Sequence, residues 1–438
     1  MNRPNILYIH SHDTGRYIQP YGYAVPTPNL QRLAQEGVLF RQHFCVNPTC
    51  SPSRASLLTG SYPHENGMVG LAHRGFRLND YNQHVVHYLH RHGYTSALAG
   101  VQHVASDSED KKAWQVIGYE HYLADPGKAD EAACAFLSRA TDQPFFLDVG
   151  FFETHRVFPE VDPNADDVKY CIPPAPLPDT PETRRDMAAF KKAAKRLDER
   201  MGRVLDALHQ SSLVDNTLVI CTTDHGIAFP KMKCNLYDGG IGVMLIMRGP
   251  RGFTGGKVVD VLTSHLDIFP TICDILESQA PPWLRGKSLL PLIEGSHKKI
   301  HDNLFFEINY HAAYEPVRAV RTERWKYLRR FDPRLRPVLP NCDDSESKTL
   351  WMSCGWKEQV YTEEELYDLV FDPHETNNLI YSVSHAAVRE ELKSLLWHWM
   401  EETADPIRFG KIPAPRRARV NDPDGVSPTE PPLPLAQP

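Results

Sequence analysis

Short apolar runs, each ending in polar and ionisable residues, alternate along this chain with amphipathic helical segments. No other feature restricts the fold as much. Asn5–His10 is the first run, and it stops at Ser11-His12-Asp13-Thr14-Gly15. The pattern recurs at Val38–Cys45, Tyr94–Ala99, Pro144–Phe152, Thr217–Thr222 and Val243–Met247. Helical segments lie between the runs, at Gln83–His92, Ala129–Ala140, Thr183–Gln210 and Leu266–Leu276. Within the third of these, Met201, Val204, Leu205 and Leu208 share one helical face. Apolar runs bounded by turn residues read as strands buried on both faces. The fold class is therefore α/β, a mostly parallel sheet between helices. Such sheets bind ligands at the carboxyl ends of their strands. Here those ends carry His12-Asp13, Thr154-His155-Arg156 and Asp224-His225-Gly226.

The pattern changes after about residue 298. Leu304–Ile308, Arg318–Arg321, Lys326–Arg329 and Leu366-Tyr-Asp-Leu read as short strands, closed by a Leu- and Trp-rich helix at Ala387–Met400. This divides the chain into a catalytic domain (1–298), a smaller C-terminal α+β subdomain (299–410) and a Pro-rich tail (411–438). The tail is expected to be extended, to touch the core little, and to be available for wrapping a second copy as a homo-oligomer.

Composition narrows the function. The formal net charge of -7 argues against a nucleic-acid partner. No apolar stretch is long enough to span a membrane, and the N-terminus lacks a secretory pattern, so the expected location is cytoplasmic. The nine cysteines include no C-x-x-C pair. They read as reduced, mostly buried thiols rather than a disulfide or zinc framework.

Pro48-Thr-Cys50-Ser-Pro52-Ser-Arg54-Ala-Ser-Leu-Leu-Thr-Gly60 is the segment with most chemistry. Pro52 suits a first helical turn, which puts Cys50 just before a helix N-terminus, where free N–H groups favour an anion. Arg54 can reach the same point. Spacing alone leaves two readings open, a low-pKa thiolate nucleophile or an anion pocket. The Asp/His pairs at two strand ends can converge on one divalent ion, and their mixed oxygen and nitrogen donors suit Mn, Zn or Fe better than Ca.

Cys50-Ser-Pro-Ser-Arg54…Thr59-Gly60 resembles the sulfatase signature C-x-P-x-R-x-x-x-x-T-G. The resemblance extends to Asn5-Ile-Leu-Tyr-Ile, Thr27-Pro-Asn-Leu, Pro63-His-Glu-Asn-Gly-Met68, Asp224-His-Gly and Glu365-Leu-Tyr-Asp-Leu. It covers roughly residues 4–405 and is strongest toward the heparan N-sulfatase branch, through Phe152-Glu-Thr-His-Arg156 and Gly226-Ile-Ala-Phe-Pro. It implies an alkaline-phosphatase-like fold and a Cys50 oxidised to formylglycine by a formylglycine-generating maturation enzyme. It also implies one divalent metal (Mn, Zn or Ca), held by Asp13, Asp224, His225 and the modified Cys50; the convergence of the two strand ends adds His12 as a further ligand. Arg54 would hold the formylglycine hydrate, and His103 would lie near the aldehyde. His155 and Lys233 would contact the sulfate and the leaving group.

Three positions depart from the family pattern. His12 and His225 put imidazoles where the family carries Asp and Asn, which makes a transition metal more plausible than Ca. Val101 stands where the family has a lysine, so Arg54 and Lys231 are candidates to supply the missing charge. The expected substrate is a small sulfated sugar of the N-sulfoglucosamine type, with Arg156 placed to anchor a sugar hydroxyl or carboxylate. The alternatives are a phosphonate monoester or phosphodiester hydrolase on the same scaffold, and a non-catalytic sulfated-glycan binder.

Overall fold

The computed structural model describes residues 3–139, 143–162, 164 and 166–434. Ala140, assigned to a helix above, and the last four tail residues lie outside the described residues. Strands β1 (Asn5–Ser11), β2 (Val38–Phe40), β4 (Thr95–Gly100), β5 (His121–Ala124), β6 (Phe145–Gly150), β7 (Thr217–Thr223), β8 (Leu245–Arg248) and β9 (Lys257–Val259) form one sheet, in the order β5-β4-β6-β1-β7-β8-β2-β9. Only β8 runs against its neighbours, antiparallel to β7 and β2. β1 lies between β6 and β7, with Ile6 opposite Phe146 and Leu218, and is buried over its whole length. This burial explains its continuous apolar sequence.

The run Val38–Cys45 is expected to be one strand and is two. β2 belongs to the main sheet, whereas β3 (His43–Phe44) pairs with β10 (Thr263–Ser264) in a separate ribbon. The break at Arg41-Gln42 takes the chain out of the sheet before it reaches Cys50.

Helices cover both faces of the sheet. The longest, Pro181–Gln210, has Pro181 in its first turn, and its Thr180 cap accepts a hydrogen bond from the Thr183 N–H. Its buried stripe of Leu197, Met201, Val204, Leu205 and Leu208 meets Leu7, Ile9 and Leu147 of the sheet in one core. The other face is covered by Cys50–Thr59, Val85–Arg91 and Ile268–Ile275. β11 (Leu304–Tyr310), β12 (Tyr314–Arg321), β13 (Trp325–Arg330) and β14 (Glu364–Asp368) form an antiparallel sheet in sequential order, backed by helix Ala386–Glu402. The second face's core continues into this subdomain through Tyr310, Leu366, Leu396 and Trp399.

The tail corrects an expectation. It has little regular structure, but it packs on its own chain. Ile412, Ala418 and Asn421 are buried. Tyr310 Oη donates to the Ile412 carbonyl at 2.6 Å, and the Asn421 N–H donates to Ala312 O at 2.8 Å. Arg419 donates to the His73 carbonyl at 2.7 Å. Three apolar or amide side chains were enough to anchor a segment whose prolines already restrict its freedom. The tail thus touches the core of its own chain more than expected.

Candidate active site

The carboxyl ends of β1 and β7 and the first turn of helix Cys50–Thr59 meet at one buried point. Two close backbone approaches make this possible. A Cβ on Gly226 would stand 1.9 Å from Gly239 O, and one on Gly150 would stand 2.0 Å from Val101 O. At both positions only glycine fits.

Asp224 organises the site. Its Oδ1 accepts from the Asp13 and His225 backbone N–H groups at 2.8 and 2.9 Å, and its Oδ2 accepts from Arg54 at 3.0 Å. Asp13 Oδ2 accepts from Lys233 Nζ at 2.8 Å. His225 Nδ1 lies 3.0 Å from the Gly226 carbonyl. As that oxygen can only accept, Nδ1 carries the proton and Nε2 presents its lone pair inward. There it lies 3.3 Å from both Asp13 Oδ1 and Cys50 Sγ. His12 Nδ1 lies 3.1 Å from Asp224 Oδ2. One donor atom from each of His12, Asp13, Cys50 and Asp224 falls within 4.8 Å of all the others, and His12, Cys50 and His103 form an overlapping trio.

The donor set fits a divalent cation. His12 Nδ1 and Asp13 Oδ1 are buried and have no hydrogen-bond partner. Such atoms are costly unless something else satisfies them. Burial alone would raise Asp13, but Lys233, His155 and His225 together hold it well below the usual carboxylate range. Asp224 is likewise held down against its burial, by His225, Arg54 and His12. Both are therefore carboxylates at neutral pH. The cluster at His64, Glu307 and Asp405 also has metal-like spacing. There Arg318 already supplies the cation, 2.6 Å from Asp405 and 3.7 Å from Glu307.

Cys50 is 2% exposed. Burial pushes its thiol well above the usual range, against the lowering influence of Lys233. This counts against the reading of Cys50 as a low-pKa thiolate and favours the anion pocket. Thr49 is the helix N-cap, so Cys50 is the first helical residue rather than the residue before it.

His103 and His155 flank His12, each with its ring centroid 5.5 Å from that of His12. Burial lowers the basicity of both, aided by His12 and His73 at His103 and by Lys233 at His155. These rings border a cavity of about 750 Å³ lined also by Val101, Trp114, Tyr122, Phe152 and the Asp107–Lys112 pair.

Two anticipated cations lie elsewhere. Lys231 faces a different cavity, with its Nζ 5.6 Å above the Trp351 ring. Arg156 is held bidentately by Asp186 at 2.7 and 2.8 Å, donates through Nε to the Ala228 carbonyl at 2.8 Å and lies between Phe158 and Phe229, so its planar fork is committed to the fold rather than to a sugar. Several residues of the site were not anticipated. Asp343 pairs with Lys233 at 2.9 Å, and His73 stacks on His103 with 2.9 Å between ring nitrogens. His10 bonds Arg54 through Nδ1 and Asp148 through Nε2, the latter at 2.8 Å. Only His10 left a sequence signal, a titratable residue at the end of an apolar strand.

The family model for sulfatases matches residues 4–278, and that for the N-sulphoglucosamine sulphohydrolase C-terminal region matches residues 226–335. The chain is 29% identical to human N-sulphoglucosamine sulphohydrolase, over 87% of each chain. Its fold is similar to that of BT4656, solved with its substrate D-glucosamine-2-N,6-O-disulfate (TM-score 0.69, 19% identity, 92% of this chain and 98% of that one). It is also similar to the phosphonate monoester hydrolase of Agrobacterium radiobacter (TM-score 0.67, 22% identity, 92% and 96%). The sheet, the C-terminal subdomain and these neighbours establish the alkaline-phosphatase-like architecture. With the family match covering most of the chain, this protein belongs to the sulfatases, enzymes that hydrolyse sulfuric esters.

Proposed function

We propose that this sulfatase removes sulfate from a sulfated amino sugar, with the N-sulfate of a glucosamine-type ring favoured over an O-sulfate. The observation that carries the reading is Cys50 Sγ, set on a helix N-terminus inside the signature segment and 3.3 Å from His225 Nε2 amid the Asp13, Asp224 and His12 donors. The relation to human N-sulphoglucosamine sulphohydrolase supports the substrate class.

A Cys50 already converted to formylglycine by a formylglycine-generating maturation enzyme would present, as its hydrate, two hydroxyls at this point, one to attack sulfur and one to lose its proton as sulfate leaves and the aldehyde re-forms. A divalent ion, Mn or Zn before Ca given the two imidazoles, supplies Lewis acidity when bound by Asp13, Asp224, His225 and His12. The remaining work falls to the chain's own residues. Lys233 places a full charge beside the sulfuryl oxygens, and Arg54 fixes Asp224. His155 Nδ1 bonds the Arg156 carbonyl, so Nε2 faces the cavity. An anionic substrate favours protonation there, which makes His155 the proton donor to the leaving nitrogen. His103, kept neutral by burial, accepts a proton as sulfate departs. Val101 leaves the site one cation short of the family pattern; Lys112 lines the same cavity but is paired with Asp107 at 2.9 Å.

A phosphonate monoester hydrolase is the second reading, favoured by the same two imidazoles, His12 and His225. Maturation-enzyme-treated protein should be assayed on glucosamine N-sulfate, glucosamine 6-sulfate and an aryl phosphonate, each with Mn, Zn and Ca. Fastest sulfate release from the N-sulfate is expected. Release from the 6-sulfate alone rejects N–S cleavage. Phosphonate turnover about tenfold above both sulfates, near 1.4 kcal/mol in barrier, moves the protein to the second reading.

A further inference from the structure

Lys231 is two residues from Lys233 but lines a second cavity, of about 620 Å³, which shares no lining residue with the one at His12, His103 and His155. Its walls are aromatic. Tyr17 and Tyr23 meet with ring centroids 4.3 Å apart and planes tilted by 36° on one side, and Trp351 and Tyr361 stand among the other lining residues. Rings that combine an apolar face with a polar tip suit ligands of the same mixed character.

The charge around this cavity is uneven. Its carboxylates already hold cations. Glu365 accepts from Arg330 at 2.9 Å, Asp238 pairs with Lys326 at 2.6 Å and Arg321 at 3.1 Å, and Glu375 pairs with Lys326 at 2.7 Å. Lys231 forms no ion pair among the described residues; its ammonium lies over the Trp351 ring, and the nearby Glu365, whose attraction it feels, is already paired with Arg330. Two further donors of lining residues, Trp351 Nε1 and Arg16 Nε, are buried without an acceptor. Paired carboxylates leave little attraction for a cation, and unmatched donors disfavour a purely apolar guest. What is missing is an acceptor-rich, negatively charged ligand with apolar faces.

We propose that this cavity binds an anionic saccharide, a sugar ring carrying a sulfate or carboxylate, with the anion on Lys231 and the ring among Tyr17, Tyr23 and Trp351. The volume is ample for one or two rings. The site is separate from the reaction centre and does not depend on the reaction proposed above. On a longer anionic glycan it would hold a part of the chain that is not being cleaved.

Calorimetric titration of the Cys50→Ala protein, which cannot turn over, with D-glucosamine-2-N,6-O-disulfate tests this. Two binding events are expected. Lys231→Met in the same background should abolish one of them, and Trp351→Phe should weaken that event by about tenfold. Failure of the proposed reaction would remove the other event and leave this one. N-acetylglucosamine, being neutral, should not produce the Lys231-dependent event, and this control needs no variant to fold. The inference is overturned if every binding event survives Lys231→Met, or if the neutral sugar fills the same site with equal affinity.

Discussion

Lys233 Nζ donates to Asp13 Oδ2 at 2.8 Å, while Asp13 Oδ1 is buried without a hydrogen bond. One carboxylate thus has an oxygen committed to an ammonium and an oxygen held in reserve. Burial alone would lower the Lys233 pKa, but Asp13 and Asp343 raise it well above the usual range, so its charge is present at every working pH. Replacing it with methionine removes the charge that the proposed reaction sets beside the sulfuryl oxygens. Lys233→Met is expected to lower kcat by about 10²–10³-fold with the circular dichroism spectrum unchanged. A loss smaller than tenfold would mean that Lys233 only holds Asp13.

The unpartnered His12 Nδ1 and Asp13 Oδ1 predict that metal and stability are linked. Adding the correct ion at 100 times its Kd should stabilise the fold by about 2.7 kcal/mol, read as a rise in Tm. Mn or Zn should exceed Ca, and Asp224→Ala should abolish the shift. Equal Tm with and without all three ions would contradict the metal assignment.

His84 gives the clearest pH dependence away from the site. It is fully buried and caps helix Val85–Arg91 by accepting the Val86 N–H through Nδ1, at 3.2 Å. Burial, reinforced by His87 and His90, pushes its pKa from 6.5 down to about 3. A depressed folded pKa gives stability that is complete above 6.5 and is lost as the pH falls toward 3. The loss is about 1.4 kcal/mol per pH unit in that window. Asparagine can cap without titrating. Urea unfolding at pH 7, 6 and 5 should show a flatter profile for His84→Asn than for the parent. Identical slopes would remove His84 from the account.

Truncation after Gly410 tests the packed tail. The cut removes Ile412, Ala418 and Asn421 from buried positions and the Arg419 bond to His73, which stacks on His103. Loss of Tm together with a lower kcat/KM is expected. A truncated chain as stable and active as the parent would show the tail contacts to be idle.

The sequence was most informative where one physical cause acted locally. The β1 and β7 runs are apolar throughout because neighbours bury both faces, and the residues closing them could be read as strand-end chemistry without coordinates. His121–Ala124 and Lys257–Val259 were missed because they are edge strands, partly exposed and with no apolar pattern of their own. Within the site, Asp13, Asp224 and Cys50 lie in distinctive local segments. Asp343 and His73 do not, and they reach the site only through the packing of loops far apart in sequence. Lys231 and Lys233 look equivalent in the sequence, but the path of the Ile227–Tyr237 segment sends Lys231 to the second cavity and buries Lys233 against Asp13 and Asp343. Arg156 looked available because nothing nearby in sequence announces Asp186 as its partner.

Sulfate release from glucosamine N-sulfate by protein co-produced with a formylglycine-generating enzyme, beside the same preparation of Cys50→Ala, tests the central claim most directly. Metal-dependent release is expected, falling by more than about 10³-fold in Cys50→Ala, with an aldehyde in place of the thiol in the residue-50 peptide of the active protein. Equal sulfate release by Cys50→Ala, or full activity from a preparation whose residue-50 peptide still carries the thiol, would contradict it.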